Sequence, residues 1–225
     1  MPIFVRMEPQ SNYFFMFTGI IQEVGSIKKI SDSGQNKLIS IESTVVSNLK
    51  IGGSISVDGA CLTIIAKNEN GFDAEMIPET LQKTIAQNYQ TGTKVNLEPA
   101  MQLSDRLDGH MVSGHIDFKA QVQSIEKEEN GYVITINFPP EYQKYIAMKG
   151  SITINGVSLT VSKLHANAFE VSLIPHSLAN TNLGELTKES EVNIEIDLLA
   201  RYLENLLGAK DQQITYQFLQ ERGFI

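Results

Sequence analysis

The chain has one cysteine in 225 residues, so it forms no internal disulfide. A lone thiol fits a reducing compartment, and a cytoplasmic protein is expected. It has no run of 18 apolar residues, and no membrane-spanning segment is expected. Positive charge is in deficit: 18 Lys and Arg stand against 26 Asp and Glu, for a formal net charge of -8. Such a surface does not suit nucleic acid or an anionic membrane. The opening "MPIFVRMEPQSNYFF" lacks a continuous apolar core and a small-residue cleavage site, so it does not read as a signal peptide. Residues 1–15 are expected to be a dispensable extension, and Met16 can equally serve as the start. What remains has an ordinary globular balance, 42% apolar and 20% charged, with room for one large domain or two of about 100 residues.

What is present is a repeat. "GSISVDGACLTI" at 53–64 returns as "GSITINGVSLTV" at 150–161. With a shift of 97, residues 53–98 align without a gap to 150–195, and 15 of the 46 pairs are identical. About three identities would be expected at average residue usage, so the two halves share one architecture. Upstream, "TGIIQEVGSIKKI" (18–30) answers "SGHIDFKAQVQSI" (113–125) with a shift of 95. Within each copy the period is mostly two, as in "KLISIES", "CLTIIAK" and "KVNLE", broken by Gly, Asn, Asp and Pro. That is the pattern of short strands and tight turns. Six or so strands per copy predict an all-β fold of two small tandem barrels, since closure removes exposed edges. The expected boundaries are 16–112 for the first barrel, 113–197 for the second and 198–225 for a C-terminal helix and tail.

In that last segment Leu198, Leu199, Tyr202, Leu203, Leu206 and Leu207 form one helical stripe, with Arg201, Glu204 and Asn205 facing away. Such a stripe either packs on its own barrel or joins copies of the chain.

Gly59 and Gly156 occupy equivalent places, each followed by a small nucleophile-type residue and a threonine two positions on. They read either as turns in barrel strands or as points where backbone closely approaches a flat ligand. Cys61 with Thr63, and Ser158 with Thr160, share a strand face suited to hydrogen-bonding a polar ring, while Leu62 and Leu159 point towards the core. "DGHMVSGHID" (108–117) holds His110 and His115. With Asp105, Asp108 and Asp117 they match no common zinc spacing, and no metal is expected. The repeat aligns His115 with Ile20, so the second copy has gained an ionisable imidazole. Dinucleotide, P-loop, zinc-protease and nucleophile-elbow motifs are absent, as is the Arg-x-Tyr/Phe-Ser/Thr pattern of flavin-reductase barrels. No nucleotide or other cofactor is expected.

"MFTGIIQEVGSI" at 16–27, "GACLT" at 59–63, "MVSGHID" at 111–117 and "NGVSLTV" at 155–161, in this order, resemble the riboflavin synthase family of the alpha-chain type. The resemblance covers residues 16 to about 210. It implies two six-stranded Greek-key β-barrels and a C-terminal helix, assembled as a homotrimer through the helices, and it leaves association with lumazine synthase open. It also implies an activity: two molecules of 6,7-dimethyl-8-ribityllumazine dismutate to riboflavin and 5-amino-6-ribitylaminouracil. By the same resemblance the first barrel's contacts fall at Gly19, Ile20, Ile21, Cys61, Leu62, Thr63, Glu75, Met76, Ile77, Pro78, Glu79 and Thr80. Those of the second fall at Gly114, His115, Ile116, Lys149, Ser158, Leu159, Thr160, Leu173, Ile174, Pro175, His176, Ser177 and Leu178. His115 is the candidate for proton transfer, by residue chemistry as well as resemblance. Ser158 and Cys61 are candidates to add to the ring or position water, and Phe17 and Asp197 match positions near the family's active site. Two departures stand out. Asn155 replaces an Asp of some members, and His176-Ser177 answers Glu79-Thr80. The rival reading is a non-catalytic carrier of one lumazine or flavin. Such carriers tend to lose part of the second contact set, which is present here.

Overall fold

The computed structural model describes residues 16–45, 49–208 and Gln220. The extension expected over residues 1–15 and most of the tail after Gly208 lie outside the described residues.

Alternating apolar residues close two antiparallel six-stranded barrels of the same topology. The first comprises β1 (Glu23–Ser33), β2 (Asn36–Glu42), β3 (Ser54–Val57), β4 (Ala60–Asn68), β5 (Gly71–Met76) and β6 (Lys94–Pro99), closed in the order β1-β2-β5-β4-β3-β6. The second comprises β7 (Phe118–Glu128), β8 (Gly131–Asn137), β9 (Ser151–Ile154), β10 (Val157–Leu164), β11 (Ala168–Leu173) and β12 (Glu191–Ile196), closed as β7-β8-β11-β10-β9-β12. Inward residues such as Ile27, Ile39, Ile55, Phe72 and Leu97 fill one core, and Ile134, Ile136, Ile154, Phe169 and Ile194 the other. Each such side chain contributes about 1.5–3 kcal/mol. Bulges recur at matching places in both barrels, at Ile27/Lys29 and Ile64/Ala66 and again at Val122/Ser124 and Val161/Lys163, where they add the twist that closure needs. Short helices α1 (Pro78–Lys83) and α2 (Pro175–Asn180) each begin on a proline, whose missing N–H costs nothing there.

The barrels are related by a pseudo-two-fold axis, marked by equivalent residues that touch each other. Phe17 and Val112 exchange backbone bonds at 2.8 and 3.1 Å. Asp58-Gly59 and Asn155-Gly156 are two-residue hairpin turns with φ of 47°, 85° and 47°, 77°. Both residues of each turn are left-handed, which Asp-Gly and Asn-Gly tolerate best. The turns abut: a Cβ on Gly59 would lie 2.8 Å from the Gly156 nitrogen. Close approach is therefore required at these glycines, but to the other barrel's turn.

Alternation suggests that Asn96, Glu98, Asn193 and Glu195 face solvent. Instead their strands are buried on both faces, because the polar face forms the barrel–barrel contact. The Asn96 amide donates to the Asn155 carbonyl at 2.9 Å, and that of Asn193 to the Asp58 carbonyl at 2.8 Å. Asn96 Oδ1 accepts the Asn182 N–H at 2.7 Å, and Asn193 Oδ1 that of Ile85 at 2.8 Å. Asp58 breaks the symmetry. Its carboxylate accepts from the Tyr89 hydroxyl, the Asn96 N–H and the Asn182 amide at 2.7–2.8 Å, with no cation among them. Burial pushes its pKa up to about 7.

Helix α3 (Leu198–Gly208) turns its polar residues to the second barrel. Arg201 pairs with Asp117, and Glu204 meets Lys144 and the Tyr145 hydroxyl. The polar residues thus dock the helix on the second barrel, while Leu199, Tyr202, Leu203, Leu206 and Leu207 remain exposed.

Candidate functional site

Each barrel is unzipped at one seam. The β4–β5 ladder begins only at Ile64–Ala74, so Cys61, Leu62 and Thr63 have no sheet partner across from Glu75, Met76 and Ile77. The β10–β11 ladder begins at Val161–Val171 and leaves Ser158, Leu159 and Thr160 in the same position. These stretches are strands on their other edge, paired to β3 and β9. Each seam thus offers backbone groups beside a small polar side chain, the arrangement a flat ring with amide-like edges requires.

The segments leading into the barrels cross over to these seams. The Cys61 N–H donates to the Gly114 carbonyl at 2.9 Å, and the Ser158 N–H to that of Gly19 at 2.7 Å. Ile21 packs on the second barrel's core. This corrects the expected grouping. Gly19, Ile20 and Ile21 border the second barrel's seam, while Gly114, His115 and Ile116 border the first. Two buried carboxylates fix the crossings: Glu98 accepts from Thr18 and Gly19, and Glu195 from Ser113 and Gly114. Burial raises the pKa of both, that of Glu195 to about 7.

At the first seam Cys61 is half-buried and Thr63 exposed. Burial pushes the Cys61 thiol up, against a hydrogen bond to Ser54, so it stays a protonated polar group. His115 is exposed, its Nδ1 3.1 Å from Ser113 Oγ. Its charge reaches Glu79, whose carboxylate is held below the ordinary range mainly by Lys83. Glu75 accepts from Asn36 at 3.0 Å, the Thr80 carbonyl accepts from Thr84, and Ile77 and Pro78 are exposed. Leu62 and Met76 belong to the core and offer the seam only backbone.

At the second seam Ser158 Oγ lies 2.7 Å from His110 Nδ1. Burial lowers the His110 pKa, and the nearby Asp197 charge opposes this, so a neutral imidazole faces the serine hydroxyl. Asp197 also accepts the Leu199 N–H at 2.9 Å at the start of α3. The sequence pattern offers His110 only a metal-ligand role; its N–H bond to the Thr18 carbonyl at 3.1 Å, beside the Ser158 bond to Gly19, brings it to Ser158. Thr160, Ile174, Pro175 and His176 are exposed, with Asn180 beside His176. Ser177 and Leu178 are half-buried, and Leu173 lies in the core. Lys149 is exposed on the left-handed turn before β9. Phe17 is fully buried and packs near Gly114, so it supports the crossing and presents no surface for a substrate. His110, His115, Asp105, Asp108 and Asp117 do not assemble: each takes a separate partner or none of the others.

The family model of the lumazine binding domain matches this chain twice, at residues 18–100 and 113–197. Riboflavin synthase from Photobacterium phosphoreum is 38% identical over 217 residues, spanning 93% of this chain and 100% of that protein. Riboflavin synthase from Bacillus subtilis (strain 168) is 39% identical over 215 residues with the same coverage. Among solved structures, LumP complexed with 6,7-dimethyl-8-(1'-D-ribityl) lumazine superimposes with a TM-score of 0.72 at 28% identity, covering 80% of this chain and 99% of that one. LumP complexed with riboflavin gives a TM-score of 0.74 at 29% identity with the same coverage.

Proposed function

The chain belongs to the lumazine-binding domain family, and from that premise we propose that it catalyses the dismutation of two 6,7-dimethyl-8-ribityllumazine molecules to riboflavin and 5-amino-6-ribitylaminouracil. The observation that carries this reading is the pair of unzipped seams, one per barrel, each completed by the other barrel's leading segment. Two like sites suit two like substrates, held through backbone groups. The reaction moves a four-carbon unit from one lumazine to the other, so substrate atoms and electrons balance between the two rings.

The sites divide the chemistry. At the first seam His115 accepts a proton from the acidic 7-methyl group, while Cys61 and Thr63 hold the ring. At the second, the Ser158 hydroxyl adds to the partner ring as His110 accepts its proton, or Ser158 holds a water that adds and relays the water's proton to His110. Much of the acceleration comes from holding the rings in register. The exposed apolar stripe of α3 supports a homotrimer, in which a first seam of one subunit faces a second seam of another. The free Cys61 is consistent with a cytoplasmic location. No helix among the described residues is long and apolar enough to cross a membrane.

The test is to mix purified protein with dimethylribityllumazine and follow riboflavin fluorescence with no other reagent added. Riboflavin should form with an equal amount of the aminouracil. Tight lumazine binding without riboflavin would instead identify a carrier. The polar set at the second seam, Ser158 with His110, argues against that outcome.

A further inference from the structure

Three groups in series link the wall of the second barrel to the imidazole at the first barrel's seam. Glu195, on β12, is buried. Its Oε1 accepts the Ser113 N–H and the Ser113 hydroxyl, each at 2.7 Å, and its Oε2 accepts the Gly114 N–H at 3.0 Å. The same Ser113 Oγ lies 3.1 Å from His115 Nδ1. A hydroxyl has one proton, and an ionised carboxylate can only accept. The Ser113 proton therefore goes to Glu195, and a lone pair of Oγ faces Nδ1. That contact is a hydrogen bond only if Nδ1 carries the hydrogen, which leaves the lone pair on Nε2.

We propose that Glu195, acting through Ser113, is a positioning residue that holds His115 as the Nδ1–H tautomer, so that Nε2 is the proton acceptor. Its value to turnover rests on the role given to His115 above; the tautomer does not.

The first copy supplies an internal control. Glu98 accepts the Thr18 N–H at 2.6 Å, the Thr18 hydroxyl at 2.7 Å and the Gly19 N–H at 3.0 Å. There the hydroxyl oxygen faces the Ile20 N–H at 3.3 Å, and no imidazole follows. The carboxylate–hydroxyl pair is thus a clamp in both copies and ends on a titratable ring in one. Clamp and relay must be tested apart. Ser113→Ala keeps both backbone bonds to Glu195 but cuts the relay. Ser113→Thr keeps the hydroxyl in the form that Thr18 already shows to fit.

The experiment labels the four histidines of the full chain with nitrogen-15. Correlation spectra at pH 8.5 then read the tautomer of His115, assigned by loss of its signals in His115→Gln. At that pH Glu195, pushed up to about 7 by burial and by the Asp117 charge, is ionised. The parent and Ser113→Thr should show hydrogen on Nδ1. Ser113→Ala, and Glu195→Leu, which leaves the Ser113 proton free to point at Nδ1, should shift towards hydrogen on Nε2. With dimethylribityllumazine, Ser113→Ala should lose about ten-fold in kcat with KM within about two-fold, and Ser113→Thr should restore kcat. An Nε2–H tautomer in the parent overturns the relay, and so does an unchanged tautomer in Ser113→Ala, whatever happens to turnover. A shifted tautomer with full turnover upholds the relay and removes His115 from proton transfer.

Discussion

The two seams share backbone geometry and differ in the groups set around it. The first has a thiol at Cys61 and an exposed imidazole at His115, held by Ser113. The second has a hydroxyl at Ser158, a buried imidazole at His110, and Ile20 where the other has His115. The features that hold the barrels together were kept in both copies: Asn96 and Asn193, Glu98 and Glu195, Gly59 and Gly156. Divergence elsewhere is broad, 31 of the 46 aligned residues, and it includes side chains facing the seams and Asp58 on the axis. In the proposed reaction, a duplicated fold holds two copies of one substrate and treats them differently, one as acid and one as acceptor.

The largest expected effect comes from removing the first seam's imidazole. His115→Gln keeps a polar side chain but removes the imidazole that takes the proton, and turnover should fall by about 10²- to 10⁴-fold. Lumazine affinity should change little, which single-turnover kinetics with a binding titration can resolve. Adding Ile20→His should give no rescue, because Ile20 follows Gly19 at the second seam. Rescue would mean that the seams are interchangeable.

Next comes the proposed coupling of unlike seams across subunits. Leu199, Leu203 and Leu206 are exposed on the single chain, so changing all three to Asp should leave the barrels folded. Burying these three leucines in an assembly is worth roughly 5–8 kcal/mol, so light scattering should show monomers. Those monomers should bind lumazine yet turn it over about 10²-fold more slowly, since the rings lose their fixed register. Full activity in the monomer would place both halves of the reaction in one chain.

The duplication, the strand periods and the turns were legible because 15 of 46 aligned residues are identical and the strands alternate. The crossing of the leading segments was not. A repeat alignment equates Gly19 with Gly114 but is indifferent to which barrel each packs on. His110 was hidden for a similar reason: its partner Ser158 is 48 residues away and is reached through backbone bonds from His110 to Thr18 and from Ser158 to Gly19. The signal for Glu98 and Glu195 was present in "VNLE" and "VNIE", where polar residues on an apparent solvent face are identical in both copies. That identity marks a buried polar contact, although the alternation alone reads as an ordinary half-exposed strand.

A smaller effect tests the axis. Asp58→Asn makes it symmetric, and Asn155 shows that an amide fits this turn. The Tyr89 hydroxyl can reverse to accept from the new amide. Because the folded-state pKa of Asp58 is raised to about 7, its contribution to stability is fully present below its ordinary range and is lost as pH rises through 7. Denaturant titrations should show the parent weakening between about pH 4 and pH 7. The variant should lose part of that slope and gain about 2 kcal/mol at pH 8. Glu195 titrates in the same window and keeps the remaining slope. An unchanged slope would mean that Asp58 stays charged throughout.

The smallest effect should follow from making the first seam resemble the second. Cys61→Ser replaces a thiol that burial holds protonated, at a position where the other copy already uses a hydroxyl. The strand, the Gly114 bond and the neighbouring Ser54 are untouched, so turnover should stay within about three-fold. The reciprocal Ser158→Cys should cost more. Ser158 Oγ sits 2.7 Å from a buried imidazole, too close for the larger sulfur, and the weaker S–H bond would leave His110 poorly paired. Equal losses in the two variants would show that the hydroxyl and the thiol do the same work. A loss above 10²-fold in Cys61→Ser alone would show that the first seam depends on sulfur chemistry and would move the nucleophile from Ser158 to Cys61.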